Sequence, residues 1–222
     1  MQLGVIFDMD GVLIASGPAH AGSWRVVARK HGISVSDVQF KALFGRTSRD
    51  IVRELWGHGV SDDEIRRIDD EKEAVYRALI SGVIPLTIGT RELLTTLSDA
   101  GLLLAIASSG PAENLDLVLT ETRIGSFFRA VVGGFDVPHG KPAPDCCLLA
   151  ASRIGLSPGN CVVVEDAPAG IRAGLAAGMA VIGLVGTHPA DSLHAAGATR
   201  VVTELRAITP ELIRELATSP QA

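Results

Sequence analysis

The sequence predicts an α/β fold with a parallel sheet core and an inserted helical unit. Three patterns lead to it. Short, uninterrupted apolar runs of strand length recur along the chain, as strands buried on both faces require. Helical stretches lie between several of these runs and stop at glycines. One long early stretch breaks the alternation and holds helical patterns without a strand-like run.

The first apolar run covers residues 3–7 and ends at Asp8. Further runs cover 102–107, 130–132, 161–164 and 181–185, with a weaker one at 201–202. Residues 91–100 place Leu93, Leu94 and Leu97 on one helical face and stop at Gly101. Residues 145–154 stop in the same way at Gly155, and the alanine-rich 169–177 at Gly178. Strands alternating with helices imply a parallel sheet covered on both sides. Residues 16–82 interrupt it with helical patterns at 19–31, 36–43, 48–56 and 62–80. Ser61, before Asp62, Asp63 and Glu64, is placed to cap the last of these. The expected organisation is a core of residues 1–15 and 83–222 interrupted by a four-helix insert at 16–82, with 218–222 a loose tail.

The chain has 222 residues, 47% hydrophobic and 20% charged, the composition of a folded globular protein. A formal net charge of −5 argues against binding nucleic acid through phosphate neutralisation. Six Phe, two Trp and one Tyr are too few for a base-stacking platform. Cys146, Cys147 and Cys161 form no C-x-x-C pair, so buried thiols in a reducing compartment are expected. The first apolar run is too short for a signal peptide or a membrane span. A cytoplasmic protein is expected, with no membrane partner and no protein partner implied.

Four segments carry candidate chemistry. Phe7-Asp8-Met9-Asp10-Gly11-Val12 closes the first strand, where ligands bind in an open parallel sheet. Alternate residues of an extended chain point the same way, so Asp8 and Asp10 face one site. Two carboxylates held close repel unless a cation or proton intervenes, and Mg²⁺ prefers such oxygen ligands. Val162-Val163-Val164-Glu165-Asp166 repeats the pattern on another strand, so the two ends read as halves of one cation site. Ala107-Ser108-Ser109-Gly110 offers hydroxyl and N–H donors at a third strand end. Gly140-Lys141-Pro142-Ala143-Pro144-Asp145 holds one lysine between stiff prolines. Taken singly, the last two also read as ordinary polar loops.

Together, Asp, Ser, Lys and Glu-Asp in this order resemble the four motifs of the haloacid dehalogenase superfamily. The resemblance spans nearly the whole chain, and FDMDGV with VVVEDAPAGI carries it. It implies a Rossmann-like core, and it identifies the early insert with the superfamily's α-helical cap. Under it, Asp8 is a nucleophile that forms an aspartyl-phosphate, and Asp10 is the general acid and base. Ser108, Ser109 and Lys141 bind phosphate. Asp8, Asp10 through its carbonyl, and Asp166 ligate Mg²⁺, with Glu165 as ligand or neighbour.

Within the superfamily, the lysine and Glu-Asp segments resemble β-phosphoglucomutase. The His20 and Lys72 positions on the cap do so as well, and Arg46 and Arg49 are further candidate substrate contacts. Gly45-Arg46-Thr47-Ser48 and Gly110-Pro111 depart from the mutase pattern, and Glu165-Asp166-Ala167-Pro168-Ala169-Gly170 resembles sugar-phosphate and polyol-phosphate phosphatases. Ala15 and Gly17 stand where relatives carry acidic residues. The expected activity is hydrolysis of a small phosphorylated metabolite. The alternatives are a phosphosugar mutase and a non-catalytic phosphometabolite-binding protein. The insert carries eleven basic and ten acidic residues, so the acidic excess lies in the core, where Asp8, Asp10, Glu165 and Asp166 supply four of fifteen acids.

Overall fold

A computed structural model describes residues 2–36, 38–39 and 47–218. The chain forms two compact units: residues 1–15 with 85–222, and residues 16–84.

The first unit holds six parallel strands: β1 (Gly4–Phe7), β2 (Leu103–Ala107), β3 (Phe128–Val132), β4 (Cys161–Glu165), β5 (Ala180–Leu184) and β6 (Arg200–Val202). Their spatial order is β3-β2-β1-β4-β5-β6. β1 pairs with β2 on one side and β4 on the other, Phe7 lying opposite both Ile106 and Val164. The order reverses between β1 and β4, and this is where an open sheet leaves a crevice beyond its strand ends.

Each face of the sheet is sealed because residues alternate along every strand. Ile6, Ala105, Val163 and Val181 join one core cluster with Cys146, Cys147, Ala150, Ile171 and Leu193. These come from α6 (Asp145–Arg153), α7 (Pro168–Ala176) and α8 (Ala190–Ala195). The buried residues of opposite parity include Val5, Phe7, Leu104, Ile106, Val162 and Val164. α4 (Thr90–Asp99) packs on β2, and α9 (Pro210–Thr218) on β4. The three cysteines are buried and form no disulfide, as small apolar side chains would be.

α5 (Ala112–Thr122), α8 and α9 lie outside the elements expected from periodicity. Each begins at a proline or just after one: Pro111, Pro189 or Pro210. Proline fixes φ for a first turn, but these short helices carry only narrow apolar stripes.

The second unit contains α1 (Gly17–Lys30), α2 (Ser48–Trp56) and α3 (Asp62–Ile80). The helix expected at 36–43 falls largely outside the described residues, as does nearly all of the 218–222 tail. Trp24, Val27, Ile51, Val52, Ile65 and Ile68 form this unit's own core. Ser61 closes a capping box on α3: its Oγ accepts from Glu64 N at 3.3 Å, and its N donates to Glu64 Oε2 at 3.0 Å. The unit extends to Ile84, two residues past the glycine expected to end it, because Val83 N still donates to Ile80 O at 3.2 Å. On the core side, Ala15 N donates to Pro85 O at 2.8 Å and Thr87 N to Leu13 O at 3.0 Å, so both chain crossings are anchored to the core.

Ile6 is fully buried beneath the end of β1. Ile6→Ala should cost about 2–5 kcal/mol in urea unfolding, and a loss under about 1 kcal/mol would mean that the sheet centre tolerates a cavity there.

Candidate active site

The site is built on the β1–β4 switch point. Asp8 N donates to Val164 O at 3.0 Å, which continues the β1–β4 ladder one residue past the strand. The chain then folds back sharply, with Leu13 N on Met9 O at 2.9 Å and Gly11 N on Ile14 O at 2.8 Å. Gly11 has φ +81°, and a Cβ there would lie 1.8 Å from Asp166 Oδ2. Only glycine supplies this turn and leaves room for the carboxylate from β4.

Lys141 joins the two strand ends. Its Nζ donates to Asp8 Oδ1 and to Glu165 Oε1, both at 2.7 Å. The three side chains are 8%, 11% and 2% exposed. The lysine enters on a constrained loop before α6, where Ala143 N donates to Gly140 O at 3.0 Å and His139 Nδ1 meets Asp145 Oδ1 at 3.0 Å. The second Glu165 oxygen accepts from Asp166 N at 2.7 Å and Ala167 N at 2.8 Å. Both oxygens of Glu165 are therefore engaged, and its evident task is to hold Lys141 and the start of α7. Gly170 allows this: a Cβ on it would lie 1.7 Å from Glu165 Oε1.

Asp8, Glu165 and Asp166 each offer an oxygen within 4.8 Å of the others. Burial pushes the Asp8 carboxyl up to about 7, with Lys141 opposing and Glu165 and Asp10 adding to the shift. Burial and the charges of Glu165 and Asp8 hold Asp166 well above the usual carboxylate range. Burial opposes the charge on Lys141, but Asp8 and Glu165 outweigh it and hold the ammonium well above its ordinary value. Three buried carboxylates around one ammonium leave an excess of negative charge on hard oxygen donors. A divalent cation such as Mg²⁺ fits this donor set.

The remaining core residues sit at neighbouring strand ends. Ser108 is buried, its N donating to Val132 O at 2.9 Å and its Oγ accepting from Gly110 N at 3.0 Å. A Cβ on Gly110 would lie 3.4 Å from Ser108 Oγ and 4.0 Å from Asp10 Oδ2, so the half-buried Asp10 carboxylate reaches this loop. The Ser109 side chain is exposed, while its carbonyl packs against Gly134 at a distance that leaves no room for a Cβ.

In the second unit, Lys72 is buried, with Nζ 2.9 Å from His20 Nδ1 and 2.6 Å from Glu73 Oε1. His20 stacks on Tyr76 with ring centroids 4.0 Å apart. Arg49 pairs with Asp62 at 3.0 Å. Arg46 lies outside the described residues. Gly170 stands in the VVVEDAPAGI motif without a role of its own there, and Thr187 belongs to no motif. The signal for Gly170 was available, since a glycine inside a helix costs about 1 kcal/mol against alanine and so marks a close approach. Thr187 had no comparable mark.

A family profile of haloacid dehalogenase-like hydrolases matches residues 3–178. The chain belongs to this family. The haloacid dehalogenase-like chain is 34% identical to hexitol phosphatase A of Escherichia coli, over 93% of each chain. It is 30% identical to β-phosphoglucomutase of Bacillus subtilis, over 95% of this chain and 93% of the relative. A haloacid dehalogenase hydrolase of family IA from Entamoeba histolytica superposes with a TM-score of 0.91 at 28% identity, covering 99% of this chain and all of the other. This haloacid dehalogenase-like protein is thus an enzyme of the sugar-phosphate phosphatase and phosphoglucomutase-like group. Among the described residues, no helix is long and apolar enough to cross a membrane.

Two outcomes follow from this geometry. Unfolded Asp8 titrates near 3.8, while the folded group titrates near 7. The folded state thus holds a proton that the unfolded state releases, and stability from this site falls as pH rises through that interval. The metal-free melting temperature should drop between about pH 4 and pH 7, and Asp8→Asn should make that drop shallower. An unchanged slope in that variant would contradict the assignment. Gly170→Ala should lower kcat by roughly 10- to 100-fold through displacement of Glu165 and Lys141, although alanine is the better helix former. Wild-type turnover in steady-state assays would show that the clash relaxes harmlessly.

Proposed function

We propose that this enzyme is a Mg²⁺-dependent phosphatase for a small sugar or polyol phosphate, working in the cytoplasm through an aspartyl-phosphate on Asp8. The observation that carries the proposal is Lys141, held at 2.7 Å from both Asp8 and Glu165 at the meeting point of β1 and β4. An unpaired carboxylate would repel a phosphate. One flanked by a buried ammonium can meet it in line, which is the main demand of phosphoryl transfer.

In the first step an Asp8 oxygen attacks phosphorus and the bond to the substrate oxygen breaks, while Asp10 gives that oxygen a proton. Lys141 and the Ser108 loop take up the charge on the peripheral phosphoryl oxygens. In the second step Asp10 accepts a proton from water as the water attacks phosphorus. Phosphate leaves, and the Asp8 carboxylate is restored. Asp8, Asp166 and the Asp10 carbonyl are the groups that would hold Mg²⁺, which supplies the positive charge needed when two anions approach each other. A binding protein without turnover would have no use for a carboxylate paired in this way with lysine.

Hydrolysis is favoured over isomerisation because two candidate grips of the insert already have partners within it, Arg49 on Asp62 and Lys72 on Glu73. The likeness to hexitol phosphatase A supports the same choice. The second reading, a phosphosugar mutase, draws support from the likeness to β-phosphoglucomutase.

A panel of sugar and polyol phosphates with Mg²⁺ should release inorganic phosphate from at least one member. Interconversion of β-glucose 1-phosphate and glucose 6-phosphate without release, primed by a bisphosphate, would establish the mutase instead. Asp8→Asn should lower turnover on the order of 10³-fold or more while the far-ultraviolet circular dichroism stays unchanged. Chelation of Mg²⁺ should abolish wild-type activity, and indifference to it would point to dehalogenase-like chemistry.

A further inference from the structure

The loop that delivers Lys141 is tied to the helix behind it by a contact that the chemistry of the site does not itself require. The loop runs from the end of β3 to α6, and Pro138, His139, Gly140 and Pro142 on it are exposed. Burial therefore does little to hold it. The helix α6, by contrast, is seated in the core through Cys146, Cys147, Ala150 and Ala151. Asp145 is the first residue of that helix, and His139 Nδ1 lies 3.0 Å from its Oδ1. A carboxylate oxygen accepts, so the ring N–H donates. The pair spans six residues and encloses Lys141, with Ala143 N donating to Gly140 O at 3.0 Å inside the turn. Arg153, the last residue of α6, donates to Val131 O at 2.6 Å and to Asp136 Oδ2 at 3.4 Å, so the helix holds the connection at its other end too.

We propose that His139 is a positioning residue for Lys141, its ring clipping the base of the lysine loop to Asp145 so that the ammonium keeps its place through the reaction. The inference rests on the reaction proposed at Asp8. The side chains of His139 and Asp145 are 74% and 24% exposed. A pair so open to water adds little to stability, so what it supplies is placement. Placement matters most once Asp8 carries the phosphoryl group. Without substrate, Lys141 Nζ is fixed from two sides, by Asp8 Oδ1 and by Glu165 Oε1, each at 2.7 Å. When an Asp8 oxygen bonds to phosphorus, the carboxylate charge is lost and the attraction on that side weakens. Lys141 then depends on Glu165 and on its own backbone, and a small misplacement of a reacting or charge-stabilising group costs rate steeply.

The test is a double-mutant cycle in the full chain, with His139→Ala, Asp145→Ala, the double variant and His139→Asn. Asparagine keeps an N–H donor near the place of Nδ1. On the best substrate of the phosphate panel, each alanine variant should lower kcat about fivefold and leave KM within about twofold. The double variant should lose no more than either single one, and His139→Asn should return to within about twofold of wild type. Melting temperatures should stay within about 3 °C of wild type, which a merely structural role would not predict. Hydrogen exchange read by mass spectrometry should quicken over residues 139–145 in His139→Ala and not in His139→Asn. Wild-type kcat or unchanged loop exchange in His139→Ala, or losses that multiply in the double variant, would overturn the role of His139 and leave the Asp8 reaction standing. Absence of phosphate release by wild type from every member of the panel would overturn the Asp8 reading and this role with it.

Discussion

A single ammonium group shared by carboxylates from two strands sets the terms for the rest of the core. Lys141 lies between Asp8 and Glu165, out of water, with Asp166 close by. Burying three carboxylates with one lysine is unfavourable unless each has a defined partner. The structure supplies those partners by convergence. β1 delivers Asp8, β4 delivers Glu165 and Asp166, a proline-stiffened loop delivers Lys141, and two N–H groups at the start of α7 take the spare oxygen of Glu165. Strand order is what makes this convergence possible, since only the β1–β4 adjacency brings those acids together.

Compactness around the ammonium depends on missing side chains as much as on present ones. Gly11 and Gly170 each face a carboxylate at a distance that no Cβ could share. Gly134 gives the Ser109 carbonyl the same clearance beside the loop after β2. The negative charge left after Lys141 is satisfied is what suits the site to a hard cation. Burial first, and the neighbouring carboxylates after it, hold Asp8 and Asp166 above the ordinary carboxylate range.

The second unit solves a different problem. Several of its described charged residues pair locally, with Arg49 on Asp62 and the buried Lys72 between His20 and Glu73. Its core is a separate cluster around Trp24. Nothing comparable to the three-carboxylate cluster occurs among its described residues, so the concentrated chemistry belongs to the α/β unit.

The α/β class, most of the strands and the residues of the acidic site were legible in the sequence. Buried parallel strands are written as continuous apolar runs, and a carboxylate that ends such a run has few structural uses. The capping box on α3 was legible for a similar reason, because it is made entirely of neighbours in the chain. Other features depend on contacts between distant segments. Sequence order does not reveal that Lys141 lies between Asp8 and Glu165, that both oxygens of Glu165 are engaged, or that Asp166 and Thr187 both stand against Gly11. Packing likewise gives Lys72, a candidate substrate contact, His20 and Glu73 as partners. The sequence by itself determined which carboxylates end the buried strands and which lysine lies between stiff prolines. Tertiary structure decided which oxygens remain for a cation and which are already bound, because hydrogen-bond partners are allotted by distance in space.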